Sequence, residues 1–209
     1  MKIDQHTDPM AYQPDMEITS SAIMEQVLAA RAAYDETVYT ADDVKQALLH
    51  DHLTPEAFAA LLAPAAAPFL EQLAQRAQAE TRKHFGNAVN LFTPLYIANY
   101  CENHCIYCGF NCYNNIKRAK LTAAEIETEM QAIAAQGLEE ILILTGESLT
   151  MSDVHYIGAA CRLARKYFRV VGLEVYPMDS SDYAYLHQCG ADFVTVFQET
   201  YAPDKYGQL

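Results

Sequence analysis

The sequence predicts an α/β fold with a parallel sheet, preceded by an all-helical segment. Two observations carry this. From residue 89 onward, short apolar runs rich in β-branched residues alternate with helical stretches that start on capping residues. Before residue 87 every periodic stretch is helical.

In chain order, residues 1–17 read as a flexible tail. Ser20–Tyr34 places Ile23, Val27 and Ala30 on one helical face. Thr40 caps a helix over Ala41–Leu49. Thr54-Pro55 opens another to about Ala63, with proline at the favoured first position. A longer helix runs from Pro68 to Phe85 and stops at Gly86. Residues 18–86 thus form a helical N-terminal extension. Val89–Tyr100 reads as a strand, weakened by Pro94. Thr122 and Glu125 form a capping box that opens a helix to Gln136, closed by Gly137. Glu140–Thr145, Val170–Tyr176 and Phe193–Gln198 are further strands. Ser152 caps a helix to Tyr167, and Ser180 caps one to Cys189.

This is βαβαβαβ with short joints, the pattern of an α/β barrel or a doubly wound sheet. Either arrangement puts chemistry at the C-terminal ends of the strands. Four strands do not close a barrel. Residues 87–209 are therefore expected to be the first half of one, with an unpaired edge at the last strand and no activity on their own.

The 209 residues are 51% hydrophobic and carry a formal charge of −13. That charge argues against a nucleic-acid partner and against an anionic membrane surface. No apolar run reaches the ~20 residues of a membrane helix. The first residues have neither the basic start nor the apolar core of a signal peptide, so a cytoplasmic location is expected. In that compartment six cysteines point to metal or redox chemistry.

Three of them, Cys101, Cys105 and Cys108, are spaced C-x3-C-x2-C at the end of the first strand. Dense thiolate ligation from one loop is the habit of iron–sulfur clusters. A four-iron cluster on three thiolates keeps one iron open to a small molecule. Structural zinc usually takes two separated cysteine pairs, and the sequence has no second pair. Cys112 as a fourth ligand would instead close the site. Cys161 and Cys189 read as packing residues.

With Tyr107 before the last cysteine, this motif resembles the radical S-adenosylmethionine (SAM) enzymes. The segments 94–101, 108–110, 116–118, 145–147 and 197–201 resemble their tyrosine-lyase branch. Residues 69–78 and 84–87 are similar to the 2-iminoacetate synthases of thiamine biosynthesis. The resemblance runs from about residue 40 to 209 and implies a partial (β/α) TIM-type barrel. It implies a 4Fe–4S cluster on the three cysteines and SAM on the open iron. It also implies reductive cleavage of SAM to methionine and a 5′-deoxyadenosyl radical. L-tyrosine would then be split at Cα–Cβ into 2-iminoacetate (dehydroglycine) and p-cresol. Implied partners are thiazole synthase and a flavodoxin- or ferredoxin-type electron donor. Two alternatives stay open: a hydrogenase-maturation tyrosine lyase producing CO and cyanide, and a non-catalytic metal or electron-transfer module.

Other residues are candidates for holding SAM. Thr145-Gly146-Glu147 ends the second strand, where glycine permits close backbone approach and the carboxylate can pair with an amine. An ordinary turn with an exposed Glu is the plainer alternative. The resemblance implies a contact to the methionyl ammonium. Along the third strand Val171, Leu173 and Val175 are expected to face the helices, and Gly172, Glu174 and Tyr176 the interior. A charge such as Glu174 is costly there unless paired, either with a buried base or with SAM. Tyr96 and Tyr107 are further SAM candidates, although most such tyrosines only pack. Lys117, Arg118 and Lys120 form a basic run, either a solvated loop or a docking point for an acidic donor.

Overall fold

The computed structural model describes residues 22–197, 199–200 and 202–206. The predicted tail, and Ser20 as a helix start, lie outside them. The chain divides into two compact units between Val89 and Asn90.

The first unit is helical: α1 (Ile23–Ala33), α2 (Ala41–Leu49), α3 (Pro55–Leu62), a 3-10 segment (Pro64–Phe69) and α4 (Leu70–Phe85). Thr40 caps α2 in a full capping box closed by Asp43. Pro55 opens α3, and the Thr54 hydroxyl accepts from the Ala57 N–H. Val44, Ala47, Ala60, Leu61 and Ala66 form this unit's small core. The Arg76 guanidinium donates to the carbonyls of Ala47, Leu48 and His50, so a cation meets the negative end of α2. The helix expected from Pro68 begins at Leu70. Pro64 and Pro68 carry no N–H, and the tighter 3-10 segment spans them both.

The second unit holds β1 (Phe92–Ala98), α5 (Ala123–Ala134), β2 (Glu140–Thr145), α6 (Val154–Ala164), β3 (Val170–Glu174), α7 (Ser180–Gln188), β4 (Phe193–Val194) and a short α8 (Pro203–Tyr206). The sheet order is β1-β2-β3-β4, and every pair is parallel. Each strand is laid beside its predecessor with no reversal. That is barrel winding; a doubly wound sheet changes direction at a switch point. The fold is the α/β arrangement of a partial (β/α) barrel. Pro94 sits in β1, an edge strand in this sheet, where its missing N–H is tolerated.

Leu95, Ile97, Ile141, Ile143, Val171 and Leu173 pack with Ile126, Met130, Ile157 and Leu186 of the helices in one core. Full burial of such side chains contributes roughly 1.5–3 kcal/mol each, so this layer dominates the unit's stability. The alternate strand residues face the other way. Tyr96, Leu144 and Glu174 form one cross-strand row near the C-terminal ends, and Pro94, Leu142, Gly172 and Phe193 form the row below.

Several boundaries differ from expectation. β1 is shorter than Val89–Tyr100, and β4 has two residues where six were expected. Pairing to β3 along β4 ends with the Thr195 N–H on the Leu173 carbonyl, 2.8 Å. Gln198 lies outside the described residues. Asp153, not Ser152, caps α6; its carboxylate accepts from the His155 and Tyr156 N–H groups. Asp179 precedes α7 at the cap position expected for Ser180. Tyr176 leaves the interior row and joins the helix-side core, because β3 ends at Glu174 and the alternation ends with it. Among the described residues no single helix is long and apolar enough to cross a membrane.

Candidate functional site

The cysteine loop begins where β1 runs out over the end of β2. Strand-like contact continues past the strands themselves: the Gly146 N–H donates to the Ala98 carbonyl at 3.1 Å, and Glu102 N–H to the Glu147 carbonyl at 2.9 Å. Cys101 is thereby held against Gly146-Glu147. Gly146 is required for space. A Cβ there would collide with the Tyr100 carbonyl and press on the Cys101 Cβ.

Around this crossing Asn103, Ser148 and Ser152 are each hydrogen-bonded. The Asn103 amide donates to Glu147 Oε2 at 2.5 Å. Ser148 is fully buried; its hydroxyl donates to Glu102 Oε1 at 3.0 Å and accepts from the Met151 N–H. Ser152, also fully buried, donates to the carbonyls of Gly146 and Ser148. Its own carbonyl accepts from the Tyr176 hydroxyl at 2.7 Å, which ties in the end of β3. Burial raises the Glu147 carboxyl above its usual range. The Asn103 bond opposes that shift, and the Glu102 charge adds to it. Two carboxylates beside one loop favour a cation between them, such as a ligand amine. Among the described residues Thr145 Oγ1 is buried without a partner.

Cys101, Cys105 and Cys108 are half-buried free thiols, and Cys112 is exposed. The loop turns through Cys108 N–H to the Cys105 carbonyl and Asn111 N–H to the Cys108 carbonyl, both 3.1 Å. Burial pushes the Cys101 thiol up, while the backbone N–H groups of Asn103 and Glu147 pull it down. A metal would complete the ionisation. Among the described residues no three Cys, His, Asp or Glu side chains gather around one point as a single ion requires. The thiolates of a four-iron cluster bind separate irons and stand farther apart. Three free thiols on one loop fit that group. Cys161 and Cys189 are buried in the core, and burial pushes the Cys161 thiol up to about 12.

The other predicted residues are spread along the same rim. Tyr107 is half-exposed; burial first, and then the neighbouring Glu199 and Cys105, raise its hydroxyl pKa. Tyr96 packs edge-on against Phe110, with ring centroids 5.4 Å apart. Glu174 is half-buried, in register with Leu144 and one strand further from Tyr96. The basic run is no uniform patch. Arg118 is half-buried and bonded to backbone carbonyls, and Lys120 lies 4.3 Å from the Tyr156 ring centre. Sequence reasoning missed Asn103, Glu102, Ser148 and Ser152 as parts of the site. Asn103 and Glu102 meet partners distant in sequence, Glu147 and Ser148; only the density of Asn and Ser beside both motifs hinted at them.

Residues 95–208 match the Radical SAM superfamily, and the chain belongs to it. Membership implies a 4Fe–4S cluster and SAM. The chain is 44% identical over 169 residues to the 2-iminoacetate synthase of Escherichia coli (strain K12), covering 81% of this chain and 45% of that protein. It is 30% identical over 164 residues to the 3-methylornithine synthase of Methanosarcina acetivorans, covering 75% of this chain and 45% of that one. A crystal structure of HydG, a maturase of the FeFe-hydrogenase, superposes with a TM-score of 0.77 at 25% identity, over 90% of this chain and 43% of the other. The chain spans about half the length of the curated relatives it matches.

Proposed function

We propose that this chain carries the cluster and SAM site of a radical SAM tyrosine lyase of the 2-iminoacetate synthase type. The reaction splits L-tyrosine at Cα–Cβ to 2-iminoacetate and p-cresol for the thiazole of thiamine. The observation that carries this reading is the cysteine loop latched onto Gly146-Glu147 at the C-terminal ends of β1 and β2. The 44% identity to a 2-iminoacetate synthase supports the choice of reaction.

Cys101, Cys105 and Cys108 hold the cluster, which with SAM supplies the electron and the radical when bound. Glu147, backed by Glu102, receives the methionyl ammonium, and Gly146 lets the backbone come close. Glu174 faces the ribose or the sulfonium, with Tyr96 and Tyr107 at the rim. Thiazole synthase is the acceptor of the unstable imine, and a flavodoxin- or ferredoxin-type protein is the electron donor, in the cytoplasm. Residues 18–86 serve as a helical extension and 87–209 as the first half of the barrel.

The test is p-cresol formation from L-tyrosine by the reconstituted full-length protein with SAM and reductant. Release of CO and cyanide from the same substrate would instead support the hydrogenase-maturation reading. Absence of tyrosine cleavage would refute both.

A further inference from the structure

Between Asn99 and Ala119 the chain has neither helix nor strand, yet it is densely bonded. Arg118 lies at the centre of that bonding. Its Nη1 donates to the carbonyls of Asn99 at 2.7 Å and Phe110 at 2.8 Å; its Nη2 donates to Asn111 at 2.7 Å and Asn114 at 3.4 Å. One guanidinium therefore joins the exit of β1 to the turn beyond Cys108.

That turn grips the cysteines in its own right. Asn111 Nδ2 donates to the Cys105 carbonyl at 2.9 Å. Asn114 Nδ2 donates to the carbonyls of Cys108 and Gly109, both at 3.2 Å. The Cys112 N–H donates to the carbonyl of Asn103 at 2.8 Å, the same residue whose amide fixes Glu147. Asn99 closes the far end, giving its amide to the Lys117 carbonyl and accepting from the Ala119 N–H.

We infer that Arg118 is a positioning residue that holds the three-cysteine loop in its cluster-binding shape before a cluster arrives. Converging carbonyl oxygens repel one another, and a planar guanidinium with five donors spans several spread apart at once. The four bonds join backbone up to 19 residues apart, so the closure entropy of the loop is met by the clamp. The cluster then binds a preformed cradle. Arg118 acts through Asn111 and Asn114, not by touching a thiol. The inference rests on the reading that these cysteines hold the cluster, but the preformed shape is measurable with no cluster present.

The experiment is hydrogen–deuterium exchange on the cluster-free full-length protein, followed by chelator stripping of the reconstituted cluster. Arg118→Ala is expected to speed exchange in peptides over residues 101–116 by roughly tenfold or more, with β1, β2 and β3 unchanged. Iron release to chelator is expected to accelerate by about the same factor. Arg118→Lys restores little, because a point charge cannot fork. Asn114→Ala leaves Arg118 in place and loosens the Cys108 side alone, which keeps the idea testable if Arg118→Ala folds poorly. Unchanged loop exchange in Arg118→Ala would overturn the inference. So would full recovery in Arg118→Lys, or equal loosening of strands and loop. Failure to cleave tyrosine would leave these exchange results standing, so the two readings fail separately.

Discussion

The sheet layer and the cysteine loop are neighbours held together by different physics. The layer between the sheet and α5–α7 is apolar, and Ile141, Ile143, Val171 and Ile157 are fully buried in it. The loop owes its shape to polar groups: the Arg118 fork, the Asn111 and Asn114 amides, and the Asn103–Glu147 bond. Burial is non-directional and tolerates small shifts, while hydrogen bonds fix direction. The layer therefore sets how stable the unit is, and the loop sets whether the site exists.

If that division holds, damage should separate cleanly. The largest effect belongs to Cys105→Ala, expected to abolish cluster iron and activity while leaving the melting of the cluster-free protein unchanged. Iron analysis beside calorimetry checks both halves. Gly146→Ala comes next. Its Cβ meets backbone, which cannot step aside, so the loop shifts and kcat/KM falls by about a hundredfold. Gly172→Ala is the matched control. The atoms nearest its Cβ all belong to the Phe193 ring, which can turn away, and a milder loss is expected.

Leu173→Ala attacks the layer instead. It should cost about 2–5 kcal/mol in urea unfolding, and the folded fraction should retain the site. A loss of cluster binding without loss of stability would break the comparison.

The smallest effect concerns α5. The Thr122 N–H, and then its hydroxyl, hold the Glu125 carboxyl below its usual range. A lowered carboxyl stabilises the fold fully above its unfolded value, near 4.5, and loses that contribution as pH falls through the lower folded value. Glu125→Gln should flatten this acid limb of stability against pH, with little change at neutral pH.

What could be read in the sequence follows the same division. β2 was predicted over Glu140–Thr145 and lies there, because a short apolar run between a glycine stop and a capped helix has few other solutions. The cap at Thr40 and the capping box at Thr122 were local patterns, and both formed; the structure completes the first into a box through Asp43. The cysteine motif was legible because its spacing is local. The latch was not, since Asn103 and Glu147 are 44 residues apart and meet only when β1 and β2 pair. Arg118 read as part of a surface run because charge patterning carries no information about which carbonyls will converge. The Ser152 cap failed for a local reason: its hydroxyl turned back to the Gly146 and Ser148 carbonyls, and Asp153 took the helix.

The central claim is a cluster with one iron left open by the protein. Electron paramagnetic resonance of the reduced, reconstituted full-length protein, with and without SAM, tests it when Cys112→Ala is measured beside the parent. The account predicts a spectrum that SAM perturbs, with cluster content and perturbation both intact in Cys112→Ala. A spectrum indifferent to SAM, or a cluster lost with Cys112, would contradict it.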